Sequence, residues 1–212
     1  MLSGGHRKFI EFDDLRADLV PESQKLIATT LSQSTHRAAP VMIHMCGIPG
    51  SGKTTYTNNY LANENSFSLV QFDSIMEGLP AYRRDKELQG PVEAFSRWEL
   101  PARSIGYHLL QALIENRRDI FFDHSATNRQ HIDLIRVVKK IGYAVEMHYI
   151  DCPPQLAADR VLRREKLIHR HTPPTLIYER HELLKELLPI YQGLVDKFVH
   201  ISSSELSSVG VE

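Results

Sequence analysis

Apolar residues along this chain arrive in two rhythms. Short, nearly unbroken runs alternate with longer stretches in which apolar positions recur every three or four residues. The run Val41-Met42-Ile43-His44-Met45-Cys46, held between Pro40 and a glycine loop, reads as a buried strand. Four more strands are predicted: Ser68–Phe72 ending at Asp73, Ile120–Phe122 ending at Asp123, Ala144–Ile150 ending at Asp151, and Phe198–Ile201. Helix-length patterns fill Thr54–Leu61, Glu93–Asn116, His131–Ile141, Gln155–Leu167 and Pro174–Leu188, and Gly142 stands where a C-cap glycine belongs.

Strands alternating with helices predict an α/β fold with parallel pairing and right-handed crossovers. Ligands of such a sheet bind beyond the carboxyl ends of its strands, where three of the five predicted strands end in an aspartate. The stretch between the second and third strands exceeds what one crossover helix needs, which marks it as a candidate substrate-binding segment. Residues 1–39 form an N-terminal helical preface, with a helix beginning at Pro21-Glu22-Ser23; residues 40–202 form the α/β domain, and 203–212 a Ser-rich tail expected to fray. Leu183-Leu184, Leu187-Leu188 and Tyr191 have the spacing of a core-facing helix.

The glycine loop carries the strongest chemical signal. Gly47-Ile48-Pro49-Gly50-Ser51-Gly52-Lys53-Thr54, followed by Thr55, fits G-x-x-x-x-G-K-[ST]. Glycines let the backbone curl so that successive N–H groups face phosphate oxygens, and the following helix aims its positive end at the same anion. Lys53 then reaches the outer phosphates, and the Thr54 hydroxyl can ligate Mg²⁺. A chance glycine turn would lack the strand before it and the helix after it, and both are here. The loop refines the fold class to a three-layer P-loop NTPase/kinase fold, with a mainly parallel five-stranded sheet and a helical lid.

Bulk composition narrows the partners. The 25 basic and 26 acidic side chains nearly cancel, so no global field draws the protein to nucleic acid. Cys46 and Cys152 are the only cysteines, which fits a reducing cytoplasm better than a disulfide framework. No apolar run approaches a membrane span, and the start MLSGGHRKF lacks the core of a secretory signal. The 11 histidines lack zinc-type spacing, and most are expected at the surface or in helices.

Several charged residues fit phosphoryl transfer. Asp73, at the end of the second strand, can take the proton of an attacking hydroxyl or simply cap the next helix. Asp123 can hold Mg²⁺ through water, touch substrate, or act as a turn residue, and Arg129 just beyond it can reach substrate. Arg160 lies three and four residues before Arg163 and Arg164, and so shares a helix face with both, in the densest charged stretch, which also includes Arg170. Guanidinium groups of such a lid neutralise charge on a transferred phosphate; otherwise they form a solvated face.

The order of these features resembles the zeta toxin family of P-loop kinases. The matching pieces run from APVMIHMCGIPGSGKTTY through LVQFDSI, DIFFDHSATNR, IGYAVEMHYIDCP and ADRVLRRE to RHTPPTLIYERHELL. The resemblance implies that Lys53 and Thr54 handle Mg·ATP, that Asp73 activates an acceptor hydroxyl, that Arg163 and Arg170 belong to the lid, and that Arg129 is the family's arginine after the third strand. It also implies a nucleotide sugar as acceptor and an antitoxin or inhibitor protein as partner. Two departures are visible: Asp123-His124-Ser125 stands where the family has Glu-Gly-Thr, and Gln71 where a second acid is common.

A second resemblance is to polynucleotide 5′-hydroxyl kinases, through the P-loop, the strand-end aspartate and a lid arginine. Against it, SIMEGLP after Asp73 offers no matching arginine, and no basic-aromatic array is present. The leading expectation is therefore an ATP- and Mg²⁺-dependent kinase of a small-molecule hydroxyl. A nucleic-acid end kinase and a nucleotide-binding switch with little turnover are the alternatives.

Overall fold

The computed structural model describes residues 14–168 and 172–207. Five strands, β1 (Val41–Cys46), β2 (Ser68–Gln71), β3 (Ile120–Asp123), β4 (Ala144–Asp151) and β5 (Lys197–Ser202), form one sheet in the order β2-β3-β1-β4-β5. All four pairings are parallel, as the alternation of elements predicts. β1 is central because its apolar run has a buried place on both faces. Met42 and Cys46 join the main core, and Ile43 and Met45 join a smaller one beneath the opposite face.

Helices cover both faces. α2 (Lys53–Asn63) follows the glycine loop and packs Tyr56, Tyr60 and Leu61 against the smaller core. The main core takes side chains from α5 (Pro91–Glu115), α6 (Gln130–Lys140), α7 (Pro154–Ile168) and α8 (Pro174–Leu194), including Leu184, Leu187 and Tyr191 as their spacing predicts. α1 (Val20–Gln33) lies on α5, and its Leu26, Ile27 and Leu31 pack against this core. The preface is thus docked on the α/β unit.

Three differences from the expected elements bear on the site. β2 stops at Gln71, and Phe72 and Asp73 already belong to α3 (Phe72–Gly78), because the Phe72 ring packs on Tyr107 and Phe122. Residues 203–207, expected to fray, form α9 (Ser203–Ser207), which Arg160 anchors by donating to the Ser203 carbonyl at 3.3 Å. Among the histidines, His44 and His148 are buried in strands, outside the expected surface and helix positions, and His131 is in a helix as expected but buried.

The long segment between β2 and β3 is a helical layer of its own. α3, α4 (Pro80–Gln89) and α5 enclose a second core of Met76, Leu79, Tyr82, Ala94, Trp98, Ala102 and Ile105. Buried Asp85 closes it by accepting from the Trp98 indole at 2.8 Å and from Arg97 at 3.1 Å. Gly106 lets α3 lie close to α5: a Cβ there would sit 2.3 Å from the Phe72 ring.

Candidate active site

The carboxyl ends of β1, β2 and β3 open into a cleft of about 1000 Å³, floored by the glycine loop and walled by α5, α7 and α8. Gly47, Gly50 and Gly52 adopt φ of +151°, +81° and +104°, conformations that side chains strain to reach. Gly50 also passes so near α7 that a Cβ would stand 2.4 Å from the Ala157 carbonyl oxygen. The loop is tied from outside, with the Gly47 N–H donating to the Ser125 carbonyl and Arg160 donating to that of Ser51. Gly50, Gly52, Lys53, Thr54 and Thr55 line the cleft, whereas Ile48 and Ser51 are buried beneath it.

Lys53 folds back over the loop and donates to the carbonyls of Gly47 and Ile48, each at 2.9 Å. Burial lowers its pKa, opposed chiefly by the Asp123 carboxylate. Asp123 itself is pushed up by burial, against the pull of Lys53 and of hydrogen bonds from Gln71 at 2.6 Å and Thr57 at 3.1 Å. Both bonds end on Oδ2. Gln71 is opposite Asp123 in the β2–β3 register, and its amide can donate where a second carboxylate would repel.

Asp73 sits in the first turn of α3 and lines the cleft, while Gln71 holds the N-cap position. The expected aspartate is therefore directed at the cleft from inside the helix and does not occupy the cap. Lys53, Thr54, Asp73, Asp123 and Arg129 all border this one space. Arg129 also pairs with Glu186 of α8 at 2.5 Å in solvent.

The lid differs from expectation in which arginines it presents. Arg163 is exposed on α7 and does not line the cleft, whereas Arg160 and Arg164, one turn apart, do. Arg170 lies outside the described residues. Sequence reading missed Glu99, Arg103 and Tyr107 of α5, and Arg180 of α8, all on the cleft wall. Phe95, Glu99, Arg103 and Tyr107 recur every four residues, a stripe readable in the sequence once α5 is known to flank the site. Arg103 pairs with Glu99 at 2.7 Å, and Arg180 donates to the Thr127 hydroxyl. Burial and, after it, the nearby Arg103 charge lower the Arg180 pKa, with Glu99 opposing.

This arrangement fits a bound triphosphate, with a curled glycine loop, a lysine at its end and several guanidinium groups lining the cleft. Among the described residues no group of three or more His, Cys, Asp and Glu could hold a metal ion by itself. A Mg²⁺ site built on Thr54 and Asp123 therefore needs phosphate oxygens and water to complete it, the usual way this ion is held.

Fold and site together define a protein of the P-loop kinase class. The sequence profile of the zeta toxin family matches residues 25–201, and the chain belongs to that family. No curated protein matches the sequence. Among solved structures, one from the PezAT chromosomal toxin–antitoxin system of Streptococcus pneumoniae is 15% identical with a TM-score of 0.68, covering 89% of this chain and 78% of that one. A candidate kinase from Chloroflexus aurantiacus is 13% identical with a TM-score of 0.53, covering 82% and 90% respectively. At these identities the likeness is one of fold. No helix among the described residues is long and apolar enough to cross a membrane.

Proposed function

We propose that this protein is an ATP-dependent kinase that moves the γ-phosphate to a hydroxyl of a small molecule, with a UDP-linked amino sugar as the first acceptor to test. The observation that supports this most directly is the shared cleft of Lys53 and Asp73, which brings a phosphate-gripping cation and an accessible carboxylate to one reacting space. The loop amides and Lys53 hold the phosphate chain. Asp73 accepts the acceptor's hydroxyl proton as its oxygen bonds to the γ-phosphorus; the bond to the bridging oxygen breaks, and ADP leaves with that electron pair. Arg160 and Arg164 from α7 and Arg180 from α8 neutralise charge spread over the transferred group. Held by Thr54 and Asp123, Mg²⁺ would withdraw charge from the phosphate oxygens.

The acceptor reading rests on family membership together with the arginines that line the cleft, which suit an anionic metabolite. An antitoxin partner is proposed on the same ground. Radiolabelled ATP offered with UDP-N-acetylglucosamine, and separately with a 5′-hydroxyl oligonucleotide, tests the assignment. Label is expected on the sugar nucleotide. Label on the oligonucleotide alone would make this an end kinase, and label on neither, with tight ATP binding, would make it a switch.

A further inference from the structure

Beneath the cleft lies a chain of neutral hydrogen-bonding groups that the transfer chemistry does not use. His44 Nδ1 is 2.7 Å from the Met45 carbonyl oxygen, His44 Nε2 is 2.8 Å from His131 Nδ1, and His131 Nε2 is 3.4 Å from the Tyr107 hydroxyl. Both imidazoles are completely buried, and Tyr107 is nearly so, with one edge on the cleft. Burial lowers the His44 pKa to about 4 and that of His131 well below its ordinary value, with His124 and Arg103 adding repulsion to His131. Each ring at neutral pH therefore has one N–H and one lone pair.

The direction of the chain follows from its inner end. A carbonyl oxygen can only accept, so His44 carries its proton on Nδ1 and offers a lone pair at Nε2. His131 must then donate from Nδ1, leaving Nε2 as an acceptor. Among the described residues the Tyr107 hydroxyl is the partner of that acceptor, at 3.4 Å, so its proton points inward. Tyr107 can thus present only lone-pair density to the cleft.

We propose that Tyr107 is a specificity-determining residue that accepts a hydrogen bond from an N–H or O–H of the acceptor molecule, with His44 and His131 as positioning residues that fix its polarity. An acceptor offering a carbonyl or ether at that point would meet lone pair against lone pair and be rejected. The identity of the acceptor rests on the function proposed above; the fixed polarity does not.

Two measurements on the full-length protein separate these claims. In ¹⁵N-histidine-labelled protein, long-range ¹H–¹⁵N correlation spectra should show His44 and His131 as Nδ1–H tautomers that stay neutral between about pH 6 and 8. A proton on Nε2 of either ring, or titration in that range, overturns this inference and leaves the kinase reading standing. Conversely, the stated tautomers in a protein that leaves UDP-N-acetylglucosamine unphosphorylated remove that acceptor and support the fixed polarity. With that acceptor phosphorylated, Tyr107→Phe should raise its KM about tenfold, a change carried in KM and not in kcat or the KM for ATP. His131→Phe should raise it as well, and His131→Gln, whose carbonyl can again accept from Tyr107, should restore it. An acceptor KM unmoved by Tyr107→Phe would overturn the proposal.

Discussion

Lys53 and Asp73 share the cleft, yet their substitutions should fail in different ways. Lys53 has no apolar role, and its ammonium group, now satisfied by two loop carbonyls, is placed to exchange them for phosphate oxygens. Lys53→Ala is expected to weaken ATP binding roughly 10- to 100-fold, the scale of one or two charge-assisted hydrogen bonds. Asp73→Asn keeps shape and removes only basicity. Transfer should fall by about 10² to 10⁴ while calorimetry finds ATP affinity within about threefold of the parent protein. Equal losses of affinity in both variants would place Asp73 among the phosphate ligands and leave the base unassigned. Residue-scale reading also explains Gln71: with Asp123 already raised by burial, a second acid at 2.6 Å would force one of the pair to hold a proton.

At the scale of elements, the five strands were legible because each is a compact apolar run, four of them closed by Gly or an acid, and the sheet buries both sides of most of them. The glycine loop was legible for a different reason, since its residue types are demanded by backbone geometry. What could not be read was orientation. Phe72 looks like the last residue of a strand, and only its contacts with Tyr107 and Phe122 reveal it as the first of α3. Spacing put Arg160 on one face with both Arg163 and Arg164, and the packing of Val161 and Ala157 against the core turns only Arg164 with it to the cleft. The buried histidines were invisible because their burial depends on partners distant in sequence, as with the 87 residues between His44 and His131. Packing of α3 on α5 gives an element-scale prediction. Gly106→Ala would drive a methyl group into the Phe72 ring, so the variant should lose about 1–3 kcal/mol in urea denaturation. Because Phe72 precedes Asp73, transfer should suffer more than ATP affinity does. A variant as stable and active as the parent would show that α3 is not held in place by this contact.

For the whole molecule, the buried imidazoles tie stability to acidity. His44, His131 and His148 are buried, and burial depresses the pKa of each below the value it would have in an unfolded chain. The unfolded state therefore binds these protons first. Their contribution to stability is complete above the unfolded pKa of about 6.5 and is lost as pH falls toward the folded values, about 4 for His44. Three protons taken up only on unfolding give a slope of up to about 4 kcal/mol per pH unit, enough to exhaust a typical domain's stability within two or three units. Urea midpoints measured from about pH 7.5 downward should hold steady to about 6.5 and then drop steeply, well before most carboxylates titrate. The histidines are separable within that curve. His148 lies on the opposite face of the sheet, where its Nδ1 accepts from the Tyr56 hydroxyl at 2.9 Å and its other nitrogen faces Glu146, which opposes the shift. His148→Gln should consequently flatten the acid limb less than His44→Gln does, and a limb that survives unchanged in both variants would remove these two rings as its cause.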